Sequence, residues 1–282
     1  MPEKKIAVVT DSACDLPDSL LEKYGIRYVA LRLVCKKGEI RDRVEISADE
    51  VYALLRTEIP KTSLPFPSDV TEMYDALAGE GYTDVIHVSI SSGLSGTYNM
   101  VRMIAEEYDR LAVHVFDSKT LSIQQGYIAL QCARMLETTQ DIDKILAAAQ
   151  KMRESSAGMY VIRTLEYLRK GGRIGLVEGV LGTMLQLKPI IFVNNDGVYE
   201  TVQKARGHAN AIESMVREMV GRFSKMRVRL AVVHGALPAE GEKLLSRLLS
   251  LLNVEESMLV PVSPVLGAHT GPGLLGIIAL QA

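Results

Sequence analysis

A chain of 282 residues has room for about two domains and a sizeable core, and its make-up of 48% hydrophobic and 23% charged residues is that of a soluble globular protein. The formal net charge of −2 excludes the basic face that nucleic-acid binding requires. Three widely spaced cysteines, Cys14, Cys35 and Cys132, indicate neither a disulfide framework nor a zinc site, and no run approaches the roughly 18 apolar residues of a membrane span, so a reducing cytoplasm is the expected location.

In chain order, Ile6-Ala7-Val8-Val9 reads as a short buried strand and Thr10 to Pro17 as a polar turn, followed by a helix from Asp18 that stops at Gly25. Ile26 to Val34 is extended. Ser47 with Glu50 has the capping-box spacing and opens a second helix. Three prolines between Pro60 and Pro67 predict a rigid, irregular loop carrying the hydroxyls of Thr62 and Ser63. Asp84 to Ile90 is an apolar, β-branched strand, and Val101, Ile104, Ala105 and Tyr108 recur at helical spacing after it. Ala112 to Phe116 is the next strand, followed by helices to about Leu136 and from Asp141. This alternation predicts a doubly wound parallel sheet, an N-terminal α/β, Rossmann-like domain over 1–154.

The pattern changes in the remainder, 155–282, which reads as an α+β domain. Met159 to Arg163 is a strand, Gly171-Gly172-Arg173 a glycine-rich break, and 176–187 an apolar run expected to form a buried helix ended by Lys188-Pro189. Asp196-Gly197 marks the turn of a hairpin. A long helix from about Gly207 to Phe223, strands at Leu230–His234 and Met258–Val262 with a helix between them, and a last strand at Leu274–Leu280 complete the domain.

The chemistry is expected around Ser91-Ser92-Gly93-Leu94-Ser95-Gly96-Thr97-Tyr98-Asn99, between a strand and a helix. In open α/β sheets ligands bind at the carboxyl ends of strands, and a helix start offers N–H groups and a positive dipole end to an anion. His269 is the one histidine in a glycine-rich setting, Val265 to Gly273. His87, His114, His208 and His234 fall in strand or helix patterns and read as structural.

Thr10-Asp11-Ser12, Thr62-Ser63, Ser91 to Tyr98, Gly171-Gly172-Arg173-Ile174, Lys188-Pro189 and His269-Thr270-Gly271-Pro272-Gly273 together resemble the DegV family, bacterial fatty-acid-binding proteins known as FakB. The resemblance spans nearly the whole chain. It implies a two-domain carrier that holds one long-chain fatty acid between its domains, with no catalytic residue, metal or cofactor of its own. It implies as partner a fatty acid kinase, which forms an acyl-phosphate for phospholipid synthesis, and transient contact with a membrane surface. By the same resemblance Thr62, Ser95, Arg173 and His269 hold the carboxylate, and Arg206 docks the kinase. Leu64-Pro65-Phe66-Pro67 departs from the Gln-Pro with which the family commonly continues after Thr-Ser. Ile123 to Leu130 and the 176–187 run are the expected lining of the tail.

An enzymatic alternative is a serine hydrolase in which Ser95, Asp117 and His269 follow in the order of α/β-hydrolases. Against it, Thr97 stands where the second glycine of G-x-S-x-G is required. No phosphate-binding loop or metal-ligand cluster supports phosphoryl transfer.

Overall fold

The computed structural model describes residues 4–175, 177 and 187–282. Most of the apolar 176–187 run, expected as a helix, lies outside them.

The first half is built on four parallel strands in the order β2-β1-β6-β7, comprising β1 (Ile6–Asp11), β2 (Arg27–Val29), β6 (Asp84–Ser89) and β7 (Ala112–Asp117). Their β-branched runs are covered on both faces, as parallel strands require. On one face pack α3 (Pro67–Gly79) and α4 (Thr97–Glu107), with Val70, Tyr74, Leu77 and Val101 fully buried against Val9 and Val85. On the other face lies α5 (Ser122–Leu136), whose Ile123, Ile128, Leu130 and Cys132 are all fully buried. A helix apolar on nearly every side must be covered on every side, and α5 is, because the second half closes over it.

A small antiparallel sheet, absent from the sequence reading, joins the first half. It consists of β3 (Arg32–Cys35) between β4 (Gly38–Arg41) and β5 (Lys61–Ser63). Thr62 and Ser63, expected in an irregular loop, are therefore strand residues, with Leu33 opposite Thr62. The prolines lie outside the paired residues, and Pro67 opens α3 at the position where its missing N–H costs nothing. Earlier in the chain come α1 (Asp18–Lys23) and α2 (Ala48–Leu54). The latter is capped as predicted, with Glu50 N donating to Ser47 Oγ at 3.3 Å and Ser47 N to Glu50 Oε2 at 2.8 Å.

The helix α6 (Ile142–Ser155) runs directly into β8 (Ser156–Val161), a strand of a second, separate sheet. That six-stranded mixed sheet has the order β10-β9-β8-β13-β11-β12, with β9 (Leu187–Val193), β10 (Tyr199–Arg206), β11 (Arg227–His234), β12 (Asn253–Pro261) and β13 (Leu275–Gln281). Leu187-Lys188-Pro189 thus start a strand rather than end a helix. Alternate residues divide between two cores, as strand periodicity dictates. Met159, Val161, Leu230, Val232 and Ile277 face α8 (His208–Phe223) and α9 (Pro238–Leu251), whereas Tyr160, Ala231, Val233 and Ile278 join α5 and the first domain in one cluster. The short α7 (Glu166–Lys170) follows β8 and α10 (Pro264–Thr270) follows β12.

Candidate functional site

The carboxyl ends of β1 and β6 form the point at which the parallel sheet's strand order diverges, and Asp11 ties the two loops there together. Its buried carboxylate accepts from Ile90 N at 2.7 Å and Ala13 N at 3.2 Å. Beyond Ile90 the serine-rich loop divides its work. Ser91 is fully buried; its Oγ donates to Gly197 O at 2.7 Å and accepts from Gly93 N at 3.1 Å. This is the hairpin turn of the second domain seated on the loop of the first. The approach needs glycine on both sides, since a Cβ at Gly93 would stand 2.6 Å from Gly197 O and one at Gly197 2.1 Å from Ser91 Oγ. Ser92 Oγ accepts from Lys119 Nζ at 2.8 Å. Ser95 lines a cavity.

That cavity, of about 200 Å³, lies between the domains. Its polar wall is made by Thr62 and Ser63 of β5, Ser95 before α4, Arg173 and His269, and its apolar wall includes Leu31, Leu94, Leu121, Val265 and Leu266. All four residues singled out for an anionic head group are thus brought to one place. Thr62 Oγ1 and His269 Nε2 are 2.7 Å apart, joining β5 to α10 across 207 residues of sequence. Ser95 Oγ is 2.8 Å from Thr97 Oγ1 and accepts from Thr97 N at 3.3 Å, at the start of α4. Arg173 spans the two domains, its Nη1 donating to Gly171 O at 2.8 Å and its Nε to Leu94 O at 3.4 Å.

His269 was expected in a glycine-rich loop but stands in the last turn of α10. The glycines serve the helix. Gly267 lets the Tyr52 ring approach, a Cβ there lying 3.2 Å from it, and Gly271, at φ +67°, ends the helix by donating its N–H to Gly267 O at 2.8 Å. Gly171 packs against the imidazole itself, where a Cβ would stand 2.2 Å from Nδ1. Burial, reinforced by the charge of Arg173, holds the His269 pKa down to about 4, so the ring is neutral at physiological pH, and Nδ1 has no partner.

Sequence reasoning missed what fixes α10. Asp15 Oδ1 accepts from Ser263 N and Asp42 Oδ1 from Val265 N, both at 2.8 Å, so two carboxylates of the first domain hold the start of the helix that carries His269. Asp15 sits at φ +51°, a conformation Asp tolerates better than most residues, and its Oδ2 also accepts from Ser122 Oγ at 2.5 Å. A second, narrow apolar space adjoins it along Leu121, Ser122, Tyr160, Ile162, Leu168, Ile191 and Leu274. Leu121, Tyr199 and Leu266 line both. None of the expected Ile123 to Leu130 is among the described residues lining this space, where Leu121 and Ser122 stand instead at the start of α5; Ile123, Tyr127, Ile128, Ala129 and Leu130 belong to the core.

The hydrolase triad is not assembled. Asp117 accepts from Ser92 N at 3.1 Å and Lys119 N at 3.0 Å and pairs with Lys119 Nζ, while His269 meets Thr62 rather than Ser95. Arg206 is exposed at the end of β10, away from the cavity. A larger cavity, of about 660 Å³, is a groove elsewhere along Asp15–Asp18, Arg43–Ala48, Glu50 and Leu259–Pro264. Its arginine, Arg43, is already paired with Asp18 at 2.6 Å, which leaves that groove without a free cation for an anionic ligand. Among the described residues no helix is long and apolar enough to cross a membrane, and no cluster of metal-ligating side chains occurs.

Residues 5–282 match the model of a family described as uncharacterised protein, DegV family. A DegV domain-containing protein of Clostridium acetobutylicum is 41% identical over 278 residues, 99% of each chain. Among solved structures, a fatty-acid-binding DegV family protein from Thermus thermophilus is similar at a TM-score of 0.90 and 31% identity, over 99% of this chain and 100% of its own. A fatty acid (stearic acid)-binding protein from Eubacterium ventriosum is similar at 0.89 and 27% identity, over 99% and 98% of the two chains.

Proposed function

The chain belongs to the DegV family, and we propose that it is a carrier that binds one long-chain fatty acid between its domains, with the carboxylate on Thr62, Ser95, Arg173 and His269. The observation that carries this reading is the 2.7 Å contact of Thr62 with His269 on the polar wall of a cavity that adjoins a narrow apolar space. A carboxylate taken out of water needs donors, because an unpaired buried charge costs several kcal/mol or more. With His269 Nε2–H donating to Thr62 Oγ1, the hydroxyl proton of Thr62 is left for the ligand. A neutral, buried imidazole suits that role. Arg173 supplies the opposite charge, and Ser95 and the α4 start supply further donors.

The alkyl chain contributes roughly 0.8 kcal/mol per buried CH2, so affinity resides in the tail and orientation in the head. Because the apolar space is narrow, Leu121, Ile162, Leu168 and Leu274 must part to admit a chain. The domain division proposed for this arrangement falls at 154/155, in the last turn of α6 and one residue before its junction with β8. Native mass spectrometry of protein purified cold and without detergent is expected to show one bound acyl chain; uniformly ligand-free protein would overturn the reading.

The finer part of the proposal is that the bound acid is presented, in the cytoplasm, to a fatty acid kinase that forms the acyl-phosphate for phospholipid synthesis, with Arg206 on the docking surface. Exposed Phe66, beside Thr62-Ser63-Leu64, offers an apolar contact for loading at a membrane surface. Arg206→Glu should stop phosphorylation by the kinase while leaving the bound acid in place. Equal turnover of the two proteins would remove Arg206 from the docking surface.

A further inference from the structure

Leu121, Tyr199 and Leu266, which line both the head-group cavity and the narrow apolar space, form a neck between the two. A ligand with its carboxylate in one and its chain in the other passes between them. Two of the three are aliphatic. The third, Tyr199, opens β10, is 7% exposed and brings a hydroxyl to the neck. Its place is fixed by the pairing of β10 with β9, in which it stands opposite Val193, and by Gly175, where a Cβ would lie 3.0 Å from Tyr199 O.

The other hydroxyls around the neck are in use or turned elsewhere. Ser122 donates to Asp15, Thr270 donates to Leu266 O at 3.0 Å, and the Tyr160 hydroxyl lies beside Gly158, 3.1 Å from where a Cβ would be. In the cavity Thr62 meets His269, Ser95 meets Thr97, and Arg173 donates to Gly171 O and Leu94 O. The Tyr199 hydroxyl has no hydrogen bond among the described residues. Burial keeps it protonated, with Asp15 adding to that effect and Arg173 opposing it, so it is a neutral donor that feels the charge of the cation assigned to the head group. A phenylalanine would fill the same place without the cost, about 1–3 kcal/mol, of taking an unpaired hydroxyl out of water.

A carboxylate offers about four lone-pair sites on its two oxygens. Thr62, Ser95 and Arg173 take three of them. We infer that Tyr199 is a further head-group residue, whose O–H donates to the carboxylate oxygen nearer the neck. This inference rests on the fatty-acid reading above and adds a residue that favours the ionised acid.

Tyr199→Phe keeps the ring and removes only the hydroxyl. Dye displacement gives the affinity of the whole chain and of this variant for octadecanoate, and the carboxyl resonance of bound [1-13C]octadecanoate, followed against pH, gives the ionisation midpoint of the ligand. The variant is expected to bind about ten-fold more weakly, the size of a hydrogen bond to a charged group. The midpoint is expected to lie about one unit higher, because a donor to the charged form has been lost. Equal affinity in the two proteins would overturn the assignment. So would weaker binding at an unmoved midpoint, which would make Tyr199 a packing residue of the neck. Octadecanoate that binds neither protein would instead overturn the fatty-acid reading, and the role of Tyr199 with it.

Discussion

Thr62 and His269 come from opposite ends of the chain and meet at 2.7 Å, so a change at either is felt first at the cavity. Thr62→Val keeps the shape of the side chain and removes the hydroxyl. It should weaken retention of octadecanoate about ten-fold or more, the size of a hydrogen bond to a charged group, and lower the melting temperature too, since buried His269 Nε2 loses its partner. A dye-displacement titration and a thermal melt on one sample separate the two effects. Because burial and Arg173 hold His269 neutral down to a pKa of about 4, the affinity should show no inflection near pH 6.5, where a free histidine titrates. A step there in the same titration would mean that the imidazole becomes charged in the working range. Ser95→Ala removes a hydroxyl that meets Thr97 Oγ1 and accepts from Thr97 N, and should weaken retention in the same titration.

At the scale of elements, α10 depends on acids of the other domain. Burial pushes the Asp42 pKa up to about 7, with Asp15 adding to the rise and Arg43 opposing it, and pushes Asp11 and Asp15 up to about 6. Folding therefore takes up protons at these sites, and their contribution to stability is lost as pH rises through about 6 to 7. The buried histidines act in the opposite sense. His87 and His269, held near 3 and 4, refuse protons that the unfolded chain binds below its ordinary value of 6.5, so stability falls as pH drops below that value. The two effects oppose each other between about pH 4 and 6.5; above that range the histidines no longer titrate, and the melting temperature should fall as Asp42 loses its proton. Asp42→Asn, which mimics the neutral acid, should flatten that fall. The helices and the parallel sheet were legible because periodicity and capping are local, as Ser47 with Glu50 shows. The α10 helix and β5 were not: Gly267 and Gly271 read as loop residues until the ring they admit is known, and Thr62 pairs with Leu33 only because the fold places β3 beside it. Likewise Arg173 and His269 entered by resemblance and setting, whereas Asp15, Asp42 and Tyr160 carry no local signal.

At the scale of the molecule, the two halves share one apolar cluster around α5 and are tied by Ser91 to Gly197 and by Tyr127 Oη, which donates to Leu230 O at 3.0 Å. Gly197→Ala would place a side chain at φ +82° and 2.1 Å from Ser91 Oγ. It should destabilise the protein by about 1–3 kcal/mol in urea unfolding, and bound octadecanoate should recover part of the loss by mass action. Unchanged unfolding would show that the hairpin turn does not hold the domains together. The place of β13 has a consequence for how the protein is made. This strand lies between β8 and β11, so the two parts of the six-stranded sheet join only through a segment translated after every other strand of that sheet. Until Leu275–Gln281 has been made, α5 lacks part of its cover, and Leu274 is not yet in place on the wall of the narrow apolar space. Before β13 is made, the nascent chain thus carries a helix that is apolar on nearly every side partly bare, a state prone to aggregation, and a ligand of that space can be enclosed only once β13 is in place.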